Sequence, residues 1–96
     1  MIKHIVFFKI NTQNKENDLI ELKKMIEILG KTIPSIVSIE AGINFNPRES
    51  AWDIALFAEF NDKQGLSEYQ DHPEHIKLIQ HLKKLNREIV VVDYEV

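Results

Sequence analysis

No cysteine occurs among the 96 residues, which rules out disulfides and thiolate metal sites and makes a reducing cytoplasm the expected compartment. Basic charge is also short. Twelve Lys and Arg stand against fifteen Asp and Glu, a net charge of -3. The lysines are scattered, so the basic face that a nucleic-acid partner requires is missing. No apolar run approaches the length of a membrane span. The opening Met1-Ile2-Lys3-His4-Ile5-Val6-Phe7-Phe8-Lys9 is too interrupted by charge for the core of a signal peptide. Three glycines and three prolines leave no linker, repeat or low-complexity stretch. Length predicts one domain over residues 1–96, small enough for oligomerisation to be a natural source of stability.

What remains is a chain that changes hydrophobic period several times. Residues 2–10 are a dense run of Ile, Val and Phe and read as a strand. From Asn17 to Ile33 the spacing becomes helical, with Leu19, Leu22, Ile26, Leu29 and Ile33 on one face. Asn14 or Asn17 is the expected cap, and Gly30 with Pro34 the expected end. Residues 36–45 alternate, with Val37, Ile39, Ala41, Ile43 and Phe45 on one side. A polar turn at Asn46-Pro47-Arg48-Glu49-Ser50 follows. Trp52 to Phe60 reads as a third strand. Asp62 suits the cap of a short helix running to Asp71. His72 and Pro73 suit the cap and first position of another, whose buried face is expected to carry Ile76, Leu78, Ile79, Leu82 and Leu85. Residues 88–96 form the closing strand. The order is β-α-β-β-α-β, the ferredoxin-like α+β pattern, with its second helical region split in two.

In that pattern the helices cover one face of the sheet only. A wet second face should alternate cleanly between apolar and polar residues, and these strands do not. Ile5, Phe7, Ala55, Phe57 and Val91 are expected on the uncovered side, a patch large for a monomer. A second copy stacked face to face would bury it, so a homodimer through the sheet face is the expected assembly.

Chemistry concentrates in Tyr69-Gln70-Asp71-His72-Pro73-Glu74-His75. Pro73 in the first turn places His75 near the amino end of its helix, where the helix dipole disfavours imidazolium. A neutral imidazole accepts a proton, and a neighbouring tyrosine hydroxyl can orient a carbonyl. His4 shares a strand face with Val6 and Phe8, and borders the same cavity if that face lies under the helices. Phe8 and Trp52 are expected to help fill the pocket. Against these stand plainer roles: His72 as a cap, His81 as a surface residue, Tyr69 and His4 as satisfied packing residues. His72-Pro73-Glu74-His75 is not the His-Glu-x-x-His pattern, so no metal and no cofactor are expected.

These residues, with Ile33-Pro34-Ser35-Ile36, the Trp52-to-Phe60 strand and the terminal Val92-Asp93-Tyr94, resemble the stress-responsive A/B barrel (Dabb) family almost end to end. The resemblance implies a dimeric α/β barrel of ferredoxin-like subunits, many without an assigned activity. A few plant relatives are polyketide cyclases acting by aldol chemistry in a cavity between sheet and helices. Their tyrosine and histidine match Tyr69 and His75, and their first-strand histidine matches His4. A further cavity histidine falls on Ile54, which removes a polar contact from the pocket wall. Similar barrels include cofactor-free monooxygenases. The resemblance therefore implies a small-molecule ligand or a role in assembly alone, with a carbonyl lyase or cyclase as one form of the former.

Overall fold

The computed structural model describes residues 1–96. Strand β1 (Ile2–Ile10), helix α1 (Lys15–Thr32), strands β2 (Ile36–Ile43) and β3 (Ile54–Phe60), helices α2 (Lys63–Asp71) and α3 (Pro73–Lys83) and strand β4 (Arg87–Glu95) follow in order. The strands form one antiparallel sheet in the order β2-β3-β1-β4. This is the ferredoxin-like arrangement, with its second helix in two pieces. The third strand starts two residues later than its composition predicts. Asp53 belongs to the connection, where its carboxylate accepts the Ile10 N–H at 2.8 Å and pairs with Lys15 at 2.9 Å.

Leu19, Leu22, Ile26 and Leu29 of α1 are buried together with Ile33 just beyond it, as their spacing requires. Asn14 holds the cap position, but its side chain accepts from Asn17 instead of from a helix N–H. Gly30 does not end the helix. It lies inside, and a Cβ there would sit 2.7 Å from Ile39 Cγ2. The glycine is the space through which α1 packs on β2. Asp62 caps α2 by accepting the Gly65 N–H at 2.8 Å. His72 is extended, as a residue before proline must be, and its Nδ1 accepts the Glu74 N–H at 3.1 Å. Ile76, expected on the buried face of α3, is exposed. It falls nearly opposite the i, i+4 pair Leu78 and Leu82 that makes the core contact.

Register decides which side of the sheet each strand residue faces. Val6 lies opposite Leu56 and Val91, and His4 opposite Ala58 and Asp93, all on the helix side. Ile5 lies opposite Phe57 and Val92, and Phe7 opposite Ala55 and Val90, on the open side. Val91 therefore does not belong to the open face; Val90 and Val92 take its place. In β2 the register slips between Ile36 and Ser38, which leaves Val37 exposed in a bulge. Phe45 lies beyond the strand and is 98% exposed. The core sits between the sheet and the helices, and His4 is the one polar residue buried in it, 6% exposed.

Candidate functional site

His4, Phe8, Tyr69 and His75 line one cavity of about 180 Å³ between sheet and helices. Val6, Leu56, Leu78, Ile79, Leu82, Ile89, Val91 and Gln70 complete its wall. Nine of the twelve lining residues are apolar, so a charged ligand would lose its hydration there with little in return. Trp52 and Ile54 are not part of this wall. They border a separate depression of about 340 Å³ with Phe7, Gly42, Asn44, Ser50 and Ala55. A wider, largely polar cleft of about 610 Å³, bordered by Lys9, Lys15, Arg48 and Arg87, contains none of Tyr69, His75 and His4.

Tyr69 and His75 are brought together by a local feature of the chain. Tyr69 lies in the last turn of α2 and His75 in the first turn of α3. The break at His72-Pro73 folds one helix back on the other and brings the two rings to 4.4 Å between centroids. Tyr69 is 1% exposed, with Phe60 at 5.2 Å and His4 at 5.7 Å between ring centroids. Burial pushes its phenol pKa well up, and the charge of Asp93 adds to the effect. Tyr69 therefore stays protonated and can act as a hydrogen-bond donor.

His75 Nδ1 lies 3.1 Å from the carbonyl oxygen of Gln70. A carbonyl only accepts, so Nδ1 carries the proton. Burial lowers the His75 pKa; the Gln70 carbonyl opposes this and nearby His4 adds to it. The neutral ring then offers Nε2 as a base.

His4 is held from the other side by Asp93, whose carboxylate accepts from His4 Nδ1. Asp93 orients a ring in the wall of the cavity, a role that the sequence, where it stood only in the Val92-Asp93-Tyr94 resemblance, did not assign. The available signal was an aspartate set among Val92 and Tyr94 in an apolar strand. Its pairing with His4 depends on the β1–β4 register, which the sequence leaves open. His72 caps α3, and His81 is half-buried beside Glu21, away from the cavity. No group of three or more His, Cys, Asp or Glu converges in a way that could hold a metal. No helix is long and apolar enough to cross a membrane.

An antiparallel β2-β3-β1-β4 sheet with helices on one face defines a ferredoxin-like α+β protein. Residues 2–96 match the stress responsive A/B barrel domain, and the chain belongs to that family. It is similar to a dimeric protein of unknown function and ferredoxin-like fold from Bacteroides fragilis, at 35% identity over 99% of this chain and 95% of that one, with a TM-score of 0.87. An uncharacterised protein of Streptomyces coelicolor is 31% identical over 77 residues, covering 78% of this chain and 79% of that protein. A stress-response A/B barrel domain-containing protein of Arabidopsis thaliana is 20% identical over 105 residues. That match takes in 98% of this chain but 46% of the plant protein, so the chain spans about half the length of that relative.

Proposed function

We propose that the chain acts as one domain in a homodimer, and that each protomer holds a small, mostly apolar carbonyl compound between sheet and helices. One observation carries the ligand reading: a buried tyrosine and a histidine whose pKa burial lowers, their ring centroids 4.4 Å apart, line a mostly apolar cavity. A volume of about 180 Å³ is below the ~300–1,000 Å³ of pockets that take drug-sized molecules. The ligand is accordingly small, on the scale of a single substituted ring.

The chemistry these groups support is proton abstraction beside a carbonyl. His75 Nε2 takes the proton, and the electron pair moves onto the carbonyl oxygen, which accepts a hydrogen bond from Tyr69. The enolate carbon can then attack a second carbonyl of the same molecule. The resulting alkoxide recovers the proton from His75. Protons are moved and returned, a carbon–carbon bond forms, and no oxidant is consumed. This is an aldol-type lyase or cyclase reaction.

The dimer reading rests on the open sheet face, where Phe7, Val90 and Val92 are exposed in a contiguous apolar surface with Ile5, Ala55 and Phe57. The Bacteroides fragilis protein, 35% identical, is described as dimeric.

The test is a thermal-shift screen of small aromatic and β-keto compounds against the wild type and a His75→Ala variant. A compound at about a hundred times its dissociation constant adds roughly 2.7 kcal/mol to folded-state stability. A shift in the wild type that is lost in the variant supports a pocket containing His75. Equal shifts in both remove His75 from the site, and no shift with any compound favours a role in assembly alone.

A further inference from the structure

The connection between β2 and β3 carries two aromatic residues, Phe45 and Trp52, and exposes the first of them almost completely. Phe45 is 98% exposed, although a loop can ordinarily fold a phenyl ring back onto the protein. Here it does not, and the loop that carries it is hydrogen-bonded. The Asn44 side chain donates to the Asn46 carbonyl at 2.8 Å and accepts the Asn46 N–H at 2.9 Å, closing a clamp around Phe45. Asn46 Oδ1 in turn accepts the Arg48 N–H at 3.0 Å, and the Ala51 N–H reaches the Arg48 carbonyl at 3.1 Å. The backbone on either side of Phe45 is thus hydrogen-bonded, while its ring touches almost nothing of its own protomer.

Beside it lies the depression of about 340 Å³ bordered by Phe7, Gly42, Asn44, Trp52 and Ala55. Gly42 lies opposite Ala55, and Ala55 opposite Phe7, so its floor is on the open sheet face. A Cβ added at Gly42 would meet nothing within 4 Å, so the glycine is not required by packing within the protomer. It leaves space with no occupant of its own.

An exposed aromatic knob therefore adjoins an apolar hole on the same rim of the same face. Across a two-fold axis such a pair is self-complementary, each knob meeting the other copy's hole. We propose that Phe45 of one protomer inserts into the Phe7–Gly42–Trp52–Ala55 depression of a second copy, the two equivalent contacts lying on either side of the two-fold axis. This rests on the open-face dimer proposed above and specifies how it is locked. A large aromatic entering a pocket has the character of an interface hot spot.

The experiment uses the chain's single tryptophan, Trp52, as a reporter in the hole. Wild type, Phe45→Ala and Gly42→Leu are followed through a dilution series by sedimentation and by Trp52 emission, with circular dichroism confirming that each variant is folded. Each substitution is expected to raise the dimer dissociation constant by at least about tenfold. The double variant should be scarcely worse than either single one, because both remove the same contact. Wild-type emission should shift as the dimer dissociates, and in Phe45→Ala it should start at the dissociated value. A dimeric wild type whose affinity and emission survive both substitutions overturns the knob while leaving the dimer standing. A monomeric wild type overturns the dimer and the knob together.

Discussion

Nδ1 of His75 is committed to the Gln70 carbonyl, which leaves Nε2 as the nitrogen that the proposed reaction would use. Burial holds the ring's pKa below its ordinary 6.5, with His4 adding to the effect. A histidine depressed in the folded state binds fewer protons there than in the unfolded chain. Stability should therefore fall as pH drops below about 6.5, until the folded ring itself becomes protonated. Urea unfolding of wild type and His75→Gln across pH 5 to 8 checks this. The wild type should lose more stability on the acid side, and parallel profiles would remove His75 as the source. Ligand binding that needs the neutral ring should decline over the same acidic range. Tyr69 is different. Its pKa is displaced upward, away from neutrality, so Tyr69→Phe should abolish turnover through loss of a hydrogen-bond donor without altering the pH at which binding declines.

At the scale of the element, Gly30 reverses an ordinary rule. Glycine inside a helix costs roughly 1 kcal/mol relative to alanine, so replacing it usually stabilises. Here the added Cβ would meet Ile39 Cγ2 at 2.7 Å. Either α1 lifts from β2 or Ile39 leaves its rotamer, and Gly30→Ala should destabilise by about 1–3 kcal/mol in urea melts. Asp62→Ala, which leaves the Gly65 N–H without its partner, should cost about 1 kcal/mol by the same measurement. Gly30 also shows where the sequence stops informing. As a letter it marks a helix end; only its neighbour across the interface shows that it is a contact. The elements themselves were legible, because β1 is a dense run of β-branched and aromatic residues, α1 carries a helical period, and His72-Pro73 can be read as a cap followed by a first turn. The parity of β4 was not, since Ile89-Val90-Val91-Val92 reads equally well with either face inward. That ambiguity misplaced Val91 and hid Asp93, whose role exists only through its register with His4. Tyr69, His75, His4 and Phe8 could be grouped because the helix break and the strand alternation are local features. Whether Trp52 and Ile54 joined them depended on where β3 begins and where the cavity closes, which are properties of the packed whole.

The whole molecule has two apolar layers and only one cover. The helices bury Val6, Leu56 and Phe60 beneath the sheet, while Phe7, Val90 and Val92 on the other side stay exposed in the single chain. Val92, at 59% exposure, contributes little to the fold of one protomer and sits opposite Ile5 on the β4 side of the open face. A charge placed there separates folding from assembly. Val92→Lys leaves the protomer core untouched, but in a face-to-face dimer it would bring an ammonium group into an apolar interface without a partner, at a cost of several kcal/mol. The variant should fold with the wild-type circular dichroism spectrum and sediment as a monomer at concentrations where the wild type is dimeric, its dissociation constant raised roughly a hundredfold or more. Because association stabilises only the folded chain, the wild-type melting temperature should rise with protein concentration, and that of Val92→Lys should not. A wild type whose melting temperature is independent of concentration, and which sediments as the variant does, would mean that the open face is not an interface between copies.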